Sequence, residues 1–81
     1  MKARVFVTLK QEVLDPQGRA IQRACQSLGH RQVTDVRQGK LFEIVLDGVD
    51  PKGARVLLQE LGEKLLANPV IEDFRVEQIE V

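Results

Sequence analysis

The chain opens with a stretch in which apolar and polar residues alternate. The odd positions from Ala3 to Leu9 are apolar, and the even positions from Lys2 to Lys10 are polar except for Phe6. A period of two in a valine-rich stretch is typical of a strand with one buried face. Phe6 is therefore a large apolar side chain on the face that is otherwise polar.

The pattern changes to a helical period after Asp15. An aspartate at a helix start accepts hydrogen bonds from free amides, and Pro16 suits the first helical position because its φ is preset. Gly29 is a natural C-terminal stop. The sequence therefore predicts a strand, a capped turn and a helix. The apolar stripe of that helix, with spacing i, i+3, i+4, i+7, comprises Ile21, Ala24, Cys25 and Leu28.

Two further strands are predicted on either side of Gln38 and Gly39. The first covers Val33–Arg37, and the second, Leu41–Leu46, is apolar on both faces. Gln-Gly is a weak hairpin signal, so the phase of the second strand stays open. The face turned away from the helices carries either Leu41 and Val45, or Phe42, Ile44 and Leu46.

The second helix repeats the design of the first. Asp50 is its predicted cap and Pro51 its first residue, and it ends at Asn68 because Pro69 disfavours helical geometry in the residue before it. The predicted apolar stripe consists of Ala54, Leu57, Leu58, Leu61 and Leu65.

The last segment reads as a strand whose phase shifts. Phe74 and Val76 share one face, whereas Ile79 and Val81 share the other. A bulge would explain the shift, and so would a strand that leaves its own sheet for that of a neighbouring molecule.

The sequence contains an internal repeat. The phrase Asp-Pro-x-Gly occurs at 15–18 and again at 50–53, each time after a predicted strand. We expect a single domain over 1–81 with pseudo-repeat halves of about 1–39 and 40–81. The order β-α-β-β-α-β indicates an α+β, ferredoxin-like two-layer sandwich, with two helices on one face of an antiparallel sheet.

The second face of such a sheet has no helix to cover it, and an uncovered apolar face is an association surface. An 81-residue chain is also marginal as a lone monomer. We therefore expect a homodimer, with a tetramer left open, through the sheet surface or its edge. The residues predicted for self-association are Phe6, Leu41, Phe42, Ile44, Val45, Ile79 and Val81.

The composition argues against several classes of function. Lys plus Arg and Asp plus Glu both number 12, and there are three Phe but no Tyr or Trp, which argues against a nucleic-acid binder. No apolar run is long enough for a membrane span, and no targeting segment is recognisable. One cysteine cannot form an internal disulfide and suits a reducing compartment. We expect a cytoplasmic protein with no membrane partner.

Few residues suggest chemistry of their own. Each Asp-Pro-x-Gly could bind an anion at a helix start, but the aspartate occupies the amides, so capping is the favoured interpretation. His30 and Cys25 have no catalytic partner in sequence and are interpreted as a loop and a core residue. Glu43, inside an apolar strand, either faces solvent or pairs with an arginine across the strands. No catalytic, cofactor-binding or metal-binding residue is predicted.

The combination of three motifs resembles the PurS family, the small subunit of phosphoribosylformylglycinamidine synthase. The motifs are Val13–Gly18, Val36–Lys40 and Leu65–Val70, and the resemblance covers nearly the whole chain. It implies a non-catalytic subunit of a ligase in purine biosynthesis. The family's complex uses ATP, magnesium and glutamine on its large synthetase subunit and its glutaminase subunit, with no cofactor on the small one.

The resemblance also implies that the small subunit dimerises and bridges the glutaminase and the synthetase, so that ammonia passes between them. The alternative from the residues alone is a free-standing ferredoxin-like regulatory module that binds a small anionic ligand. The predicted contacts with other subunits are two segments. They comprise Arg37, Gln38, Gly39 and Lys40 in the first, and Leu66, Ala67, Asn68, Pro69 and Val70 in the second.

Overall fold

The computed structural model describes residues 1–79 of the chain, with side chains described for residues 1–77. Three strands and two helices form an α+β structure with an antiparallel sheet, in agreement with the predicted class. The elements are β1 (Lys2–Leu9), α1 (Pro16–Ser27), β2 (Gly39–Val45), α2 (Pro51–Leu61), a π-helical turn (Gly62–Leu66) and β3 (Glu72–Ile79).

The sheet has the order β2-β1-β3, with both outer strands antiparallel to β1. In this register Val5 lies between Phe42 and Val76, so these three share one face. The even positions of β1 share the opposite face with Leu41, Val45 and the register position of Ile79. The register therefore settles the phase of β2.

The core lies between α2 and one face of the sheet. Ala3, Val5 and Val7 of β1 have at most 1% of their surface exposed, and Leu58 of α2 has none. Because β1 is the central strand, its apolar side chains are flanked by β2 and β3 and covered by α2. Ala67, just after the π-helical turn, completes the buried cluster.

Phe42 and Ile44 belong to the face that α2 packs against, where they are half-buried. Of the two phases that the sequence left open for this strand, the structure excludes the one that would place them on the uncovered face. Leu41 and Val45, together with Phe6, lie on the uncovered face instead.

The predicted strand Val33–Arg37 is not formed, and neither is the hairpin at Gln38 and Gly39. Residues 33–38 have no regular secondary structure and lead straight into β2. The physical reason is visible in the spacing: Val33 and Val36 are three apart and cannot share one face of a strand. The backbone there is used by α1, since Gln22 and Gln26 donate to the carbonyls of Thr34 and Val33.

Helix α1 therefore packs on residues 33–38 and makes no extensive contact with the strands or with α2. The predicted layer with both helices over one sheet face is not made within a single chain. As a result the described chain is long and thin, with extents of 49 × 29 × 13 Å.

The predicted stripe of α2 is correct as far as Leu61 and wrong beyond it. The π-helical turn adds one residue, so Gly62 and Leu66 face the sheet, whereas Leu65 is 72% exposed. A Cβ on Gly62 would lie 2.3 Å from the ring of Phe74. Glycine at this position therefore allows the helix to approach β3.

Strand β3 pairs with β1 residue by residue from Glu72 to Ile79, so the described residues contain no bulge. The shift in phase leaves the position of Ile79 on the uncovered face, opposite Lys2. Val81, also predicted for self-association, lies outside the described residues.

Candidate interaction surfaces

Asp15 holds two segments of the chain together. Its Oδ1 accepts a hydrogen bond from the Gly18 amide at 2.9 Å, which caps α1, and its Oδ2 accepts one from the Gln38 amide at 2.7 Å. Asp15 is buried, with 8% of its surface exposed. One carboxylate thus fixes the start of α1 to the residue that precedes β2.

Arg37 makes the second connection at the same place. Its guanidinium donates to the carbonyl oxygens of Lys10 and Val13, both at 2.8 Å. These carbonyls follow the end of β1. We call Asp15 and Arg37 the clamp, because together they tie the chain that leaves β1 to the chain that enters β2.

The hydrogen bonds to Asp15 change the pKa of its carboxyl group. The pKa of this carboxyl is lowered, mainly by the hydrogen bond from the Gly18 amide and next by that from Gln38. The nearby positive charge of Arg37 acts in the same direction, while desolvation opposes it. Asp15 is therefore an ionised structural group, and its oxygens are already engaged at the helix start.

Residues 10–38 between these strands form an arm, which consists of α1 and the segments on either side of it. The return segment lies directly on the first turn of α1: a Cβ on Gly18 would come 2.1 Å from the Val36 carbonyl oxygen. The arm is thus a packed unit with its own backbone contacts, anchored by the clamp at one end of the sheet.

The apolar stripe of the arm is exposed. Ile21 is 44% and Leu28 is 77% exposed, and Leu14 at the base of the arm is 75% exposed. The predicted stripe of α1 therefore does not lie in the core of the described chain. The two arginines of α1, Arg19 and Arg23, lie on the opposite side of the helix from this stripe, which follows from the 100° turn per residue.

Asp50 and Pro51 begin α2 in the same way as Asp15 and Pro16 begin α1. Asp50 Oδ1 accepts from the Gly53 amide at 2.7 Å. Asp50 is exposed.

The uncovered sheet face combines apolar and charged side chains. Phe6 is half-buried beneath the guanidinium of Arg75, whose Cζ lies 4.8 Å from the ring centroid. Leu41 is 50% and Val45 is 77% exposed. The face also carries three cations and three carboxylates. They are Lys2, Arg4, Arg75, Glu43, Asp73 and Glu77.

Glu43 is exposed and forms an ion pair of 3.1 Å with Lys2. Arg4 lies opposite Glu43 on one side and Glu77 on the other in the strand register. Its Nε is buried and finds no hydrogen-bond partner among the described residues. The face is therefore mostly polar and charged, and Phe6, Leu41 and Val45 are its large apolar side chains among the described residues.

The first predicted contact segment, Arg37–Lys40, is split by the structure. Arg37 points into the clamp, Gln38 uses its amide there, and Gly39 packs so closely on β1 that a Cβ would meet the Val7 carbonyl at 2.6 Å. Lys40 is exposed, with its Nζ 3.9 Å from a Glu72 oxygen. Of the four residues, Gln38 and Lys40 are exposed and have side chains that are available to another molecule.

The second predicted segment, Leu66–Val70, forms the link from the π-helical turn to β3. Leu66 is half-buried and Ala67 is buried, whereas Pro69 and Val70 are exposed, Val70 by 76%. The Asn68 side chain accepts from the Val70 amide at 3.0 Å and shapes the turn. The exposed tip of this link is Pro69 and Val70.

The remaining candidates for chemistry are scattered. His30 is exposed after α1, and Cys25 is half-buried on α1. Among the residues that the structure describes, no group of three or more His, Cys, Asp or Glu could hold a metal ion. Within the same part of the chain no helix has the length and hydropathy to cross a membrane.

Sequence reasoning missed the dual role of Asp15, the clamp contact of Arg37 and the exposure of the α1 stripe. A hydrogen bond between residues 23 apart leaves no periodic signal. The three-residue spacing of Val33 and Val36 was the one available sign that this segment would not form a strand and that α1 would not be carried onto the sheet.

The sequence matches the family model of PurS, described as phosphoribosylformylglycinamidine (FGAM) synthase, over residues 2–80. It is 50% identical over 80 residues to the phosphoribosylformylglycinamidine synthase subunit PurS of Bacillus subtilis, covering 99% of this chain and 94% of that protein. It is 43% identical to the corresponding subunit of Methanocaldococcus jannaschii, covering 98% of both.

Solved structures give the same result. The chain resembles B. subtilis PurS with a TM-score of 0.80 at 50% identity, covering 94% of each chain. It also resembles a chain in the structure of PurLQS from Thermotoga maritima, with a TM-score of 0.87 at 27% identity over 96% of this chain and 95% of that one.

Proposed function

Because the chain belongs to the PurS family of phosphoribosylformylglycinamidine synthase subunits, we propose that it is the non-catalytic subunit that joins the other parts of this ligase. In this role it dimerises and holds the glutaminase next to the ATP-dependent synthetase. Ammonia released from glutamine then reaches formylglycinamide ribonucleotide, which is amidated in purine biosynthesis.

The observation that carries the proposal is the similarity over nearly the full length to a chain of T. maritima PurLQS. That structure is of an assembly that includes PurS. The match covers 96% of the present chain and 95% of the PurLQS chain, so the similarity extends over nearly all of both.

The reason for such a subunit is proximity. Free ammonia diffuses away and is mostly protonated at neutral pH, so it is a poor nucleophile once released into solvent. Holding two active sites in a fixed relation raises the effective concentration of the intermediate at the acceptor. Lys40, Pro69 and Val70 are exposed at the two segments predicted to contact the other subunits, and they are the positions to test first.

Two groups that motivated the alternative of a free-standing module that binds a small anion already have partners in the described part of the chain. The α1 amide that would attract an anion is paired with Asp15, and the Arg37 guanidinium is bound to two carbonyls of the same chain. Two of the groups that motivated this alternative, the start of α1 and Arg37, are thus used within the fold.

The test is reconstitution with the cognate synthetase and glutaminase. We expect omission of this chain to abolish glutamine-dependent amidation and to leave ammonia-dependent amidation in place, because free ammonium supplied in excess needs no transfer. Unchanged glutamine-dependent turnover without the chain would contradict the proposal. Calorimetry of the isolated chain with nucleotides and amino acids tests the alternative, which requires a saturable heat.

A sharper version uses single substitutions in the reconstituted complex. Lys40→Glu and Val70→Glu change exposed side chains in the two predicted segments, and Lys52→Glu changes an exposed lysine on α2 as a matched control. The proposal expects at least one of the first two to weaken co-purification with the other subunits, while Lys52→Glu does not. Equal behaviour of all three would remove these segments as the contacts.

A further inference from the structure

Charge is distributed unevenly along the chain, although the whole chain is neutral. The arm, residues 10–38, contains five cationic and three acidic residues, whereas the rest of the sequence contains seven and nine. With His30 neutral, the arm therefore carries a formal charge of +2 and the remainder carries −2. Long-range attraction guides an acidic partner towards the cationic part of such a chain.

Three arginines are responsible for the positive charge of the arm. Arg19, Arg23 and Arg31 are exposed, and residues 16–34 contain no carboxylate. Among the residues that the structure describes, the side chains of these three form no ion pair and no hydrogen bond. Asp35 lines a depression together with Arg19 but does not pair with it. We call the three arginines the basic ridge.

The basic ridge lies on one side of α1 and continues into the loop that follows the helix. Arg19 and Arg23 are about one turn apart, roughly 6 Å along the axis, on the side opposite to the apolar stripe. Arg23 and Arg31 line one shallow depression, together with Gln26 and Ser27. A contact made by the apolar stripe would therefore leave the basic ridge open to a different partner.

The stability of α1 does not account for these arginines. Arg19 lies near the N-terminus of the helix, where a positive charge interacts unfavourably with the helix dipole. Arg19 and Arg23 also have the spacing i, i+4, at which like charges destabilise a helix. Because both residues oppose the local energetics, their presence indicates a contact outside the chain.

The residue type points to carboxylates as the groups contacted. All four cations between residues 16 and 38 are arginines, whereas five of the eight cations elsewhere are lysines. A guanidinium group binds a carboxylate through two parallel hydrogen bonds, and arginine, unlike lysine, is enriched in protein interfaces. The depression beside Arg23 is shallow, whereas a small ligand needs a cleft that buries most of its surface. A protein surface is therefore the occupant that fits.

We propose that the basic ridge binds an acidic surface of one of the other subunits of the ligase, with aspartate and glutamate carboxylates of that subunit against the guanidinium groups. The inference rests on the proposed function, because it names the surface and the chemistry of a contact that the joining role requires. The basic ridge is separate from the two segments predicted from sequence, Arg37–Lys40 and Leu66–Val70.

Nucleic acid is the competing partner with negative charge. Proteins that bind single strands stack bases on aromatic side chains, and the arm contains no Phe, Tyr or Trp. Proteins that bind duplexes have a strongly basic face, whereas this chain is neutral overall. Both observations favour an acidic protein surface.

The first experiment measures the affinity of the whole chain for the cognate synthetase and glutaminase, each alone and both together. We expect Arg23→Glu combined with Arg31→Glu to weaken binding at least about a hundred-fold, because like charges across an interface repel strongly. Lys52→Glu combined with Arg55→Glu is the matched control, since both side chains are exposed on α2 and the change in net charge is the same. The control should change the affinity by less than about two-fold. Equal losses for the two pairs would overturn the proposal.

The dependence on salt is measured in the same experiment. We expect the wild-type affinity to fall steeply between about 50 and 500 mM ionic strength, and that of the double glutamate variant to change little. Arg23→Lys combined with Arg31→Lys keeps the charge but loses the paired hydrogen bonds, so its affinity should lie between the two. A wild-type affinity independent of salt, or equal losses for the lysine and glutamate variants, would contradict the proposal even if the glutamate variant failed to fold.

The second experiment tests whether the basic ridge serves a different partner. Sedimentation should give the double glutamate variant the same mass as the wild type, because the ridge lies opposite to the apolar stripe. Titration of the wild type with duplex DNA and with inorganic phosphate should give no saturable binding. Saturable binding of either that the double glutamate variant loses, or a mass reduced in that variant, would overturn the assignment to an acidic subunit surface.

The outcomes separate this inference from the proposed function. If the double glutamate variant loses binding while omission of the chain leaves glutamine-dependent turnover unchanged, the basic ridge is a contact and the joining role fails. If that variant binds as the wild type does while omission abolishes the turnover, the joining role holds and the contact lies on another surface.

Discussion

At the scale of single residues, the two Asp-Pro-x-Gly motifs have different structural roles. Both aspartates cap a helix, but Asp15 also accepts a hydrogen bond from the amide of Gln38, 23 residues away. The side chain of Asp50 accepts a hydrogen bond from the amide of Gly53, three residues away, and Asp50 is exposed. The same four-letter phrase is thus a local cap in one half and a long-range connection in the other.

We therefore expect Asp15→Ala to destabilise the chain more than Asp50→Ala. Loss of a cap costs about 0.5–2 kcal/mol, which is the expectation for Asp50→Ala. Asp15→Ala removes a cap and also removes the partly buried hydrogen bond from the Gln38 amide. Chemical denaturation of the two variants beside the wild type measures the difference, and equal losses would show that the Gln38 bond contributes nothing to stability.

The charge on Asp15 gives a dependence on pH. Its pKa in the folded chain is lowered from the ordinary value of 3.8. A depressed pKa stabilises the folded state fully above the unfolded value, and the contribution disappears as pH falls through the folded value. The melting midpoint of the wild type should exceed that of Asp15→Asn at neutral pH, and the gap should narrow below about pH 4. A gap independent of pH would exclude this source of stability.

At the scale of elements, the one-residue insertion at the π-helical turn decides which leucine is buried. Beyond Gly62 the inward positions shift by one, so Leu66 replaces Leu65. The amphipathic pattern alone could not predict this, because it assumes 3.6 residues per turn throughout. The cause is tertiary: the Phe74 ring occupies the space where a Cβ at position 62 would lie.

Gly62→Ala tests this packing. The new methyl group would overlap the ring, and we expect a loss of about 1–3 kcal/mol from overpacking. With Phe74→Leu in the background the overlap is relieved, and the same change should become neutral or stabilise by up to about 1 kcal/mol, since alanine is the better helix former. A double-mutant cycle measured by denaturation reports the coupling. A loss that persists in the Phe74→Leu background would place the strain elsewhere.

The segment 33–38 is the element that the pattern failed to assign. Two valines three apart were interpreted as a short strand, yet the carbonyls of Val33 and Thr34 accept from Gln26 and Gln22 of α1. The backbone is paired with side chains of a helix and not with a neighbouring strand. Polar helix residues that satisfy a loop leave no hydrophobic pattern to detect.

At the scale of the whole molecule, the distinguishing feature of the described chain is its thin, elongated shape. The chain spans 49 Å but only 13 Å in its shortest direction, and it has one helix over three strands. A body of this shape has too little interior for its apolar side chains. Several of them, among them Leu14, Leu28 and Val70, therefore remain on the surface of the described chain.

The dimerisation included in the proposed function has a thermal consequence. When the native form is a dimer and the unfolded form is not, mass action stabilises the native state as concentration rises. We expect the melting midpoint of the wild type to increase across a hundred-fold range of protein concentration. A wild-type midpoint that does not change with concentration would show that the single chain is the stable unit.

The sequence by itself determined the strands β1, β2 and β3, the starts of both helices and the α+β class, because each depends on local periodicity and on which residues suit a helix cap. Motifs along the chain also determined its family. Only the tertiary structure decided the phase of β2, the π-helical turn, the clamp and the position of α1. These depend on contacts between residues far apart in sequence, and such contacts leave no periodic pattern in the sequence. The physical reason is that a pattern states which face is apolar, whereas the folded chain decides which surface covers it.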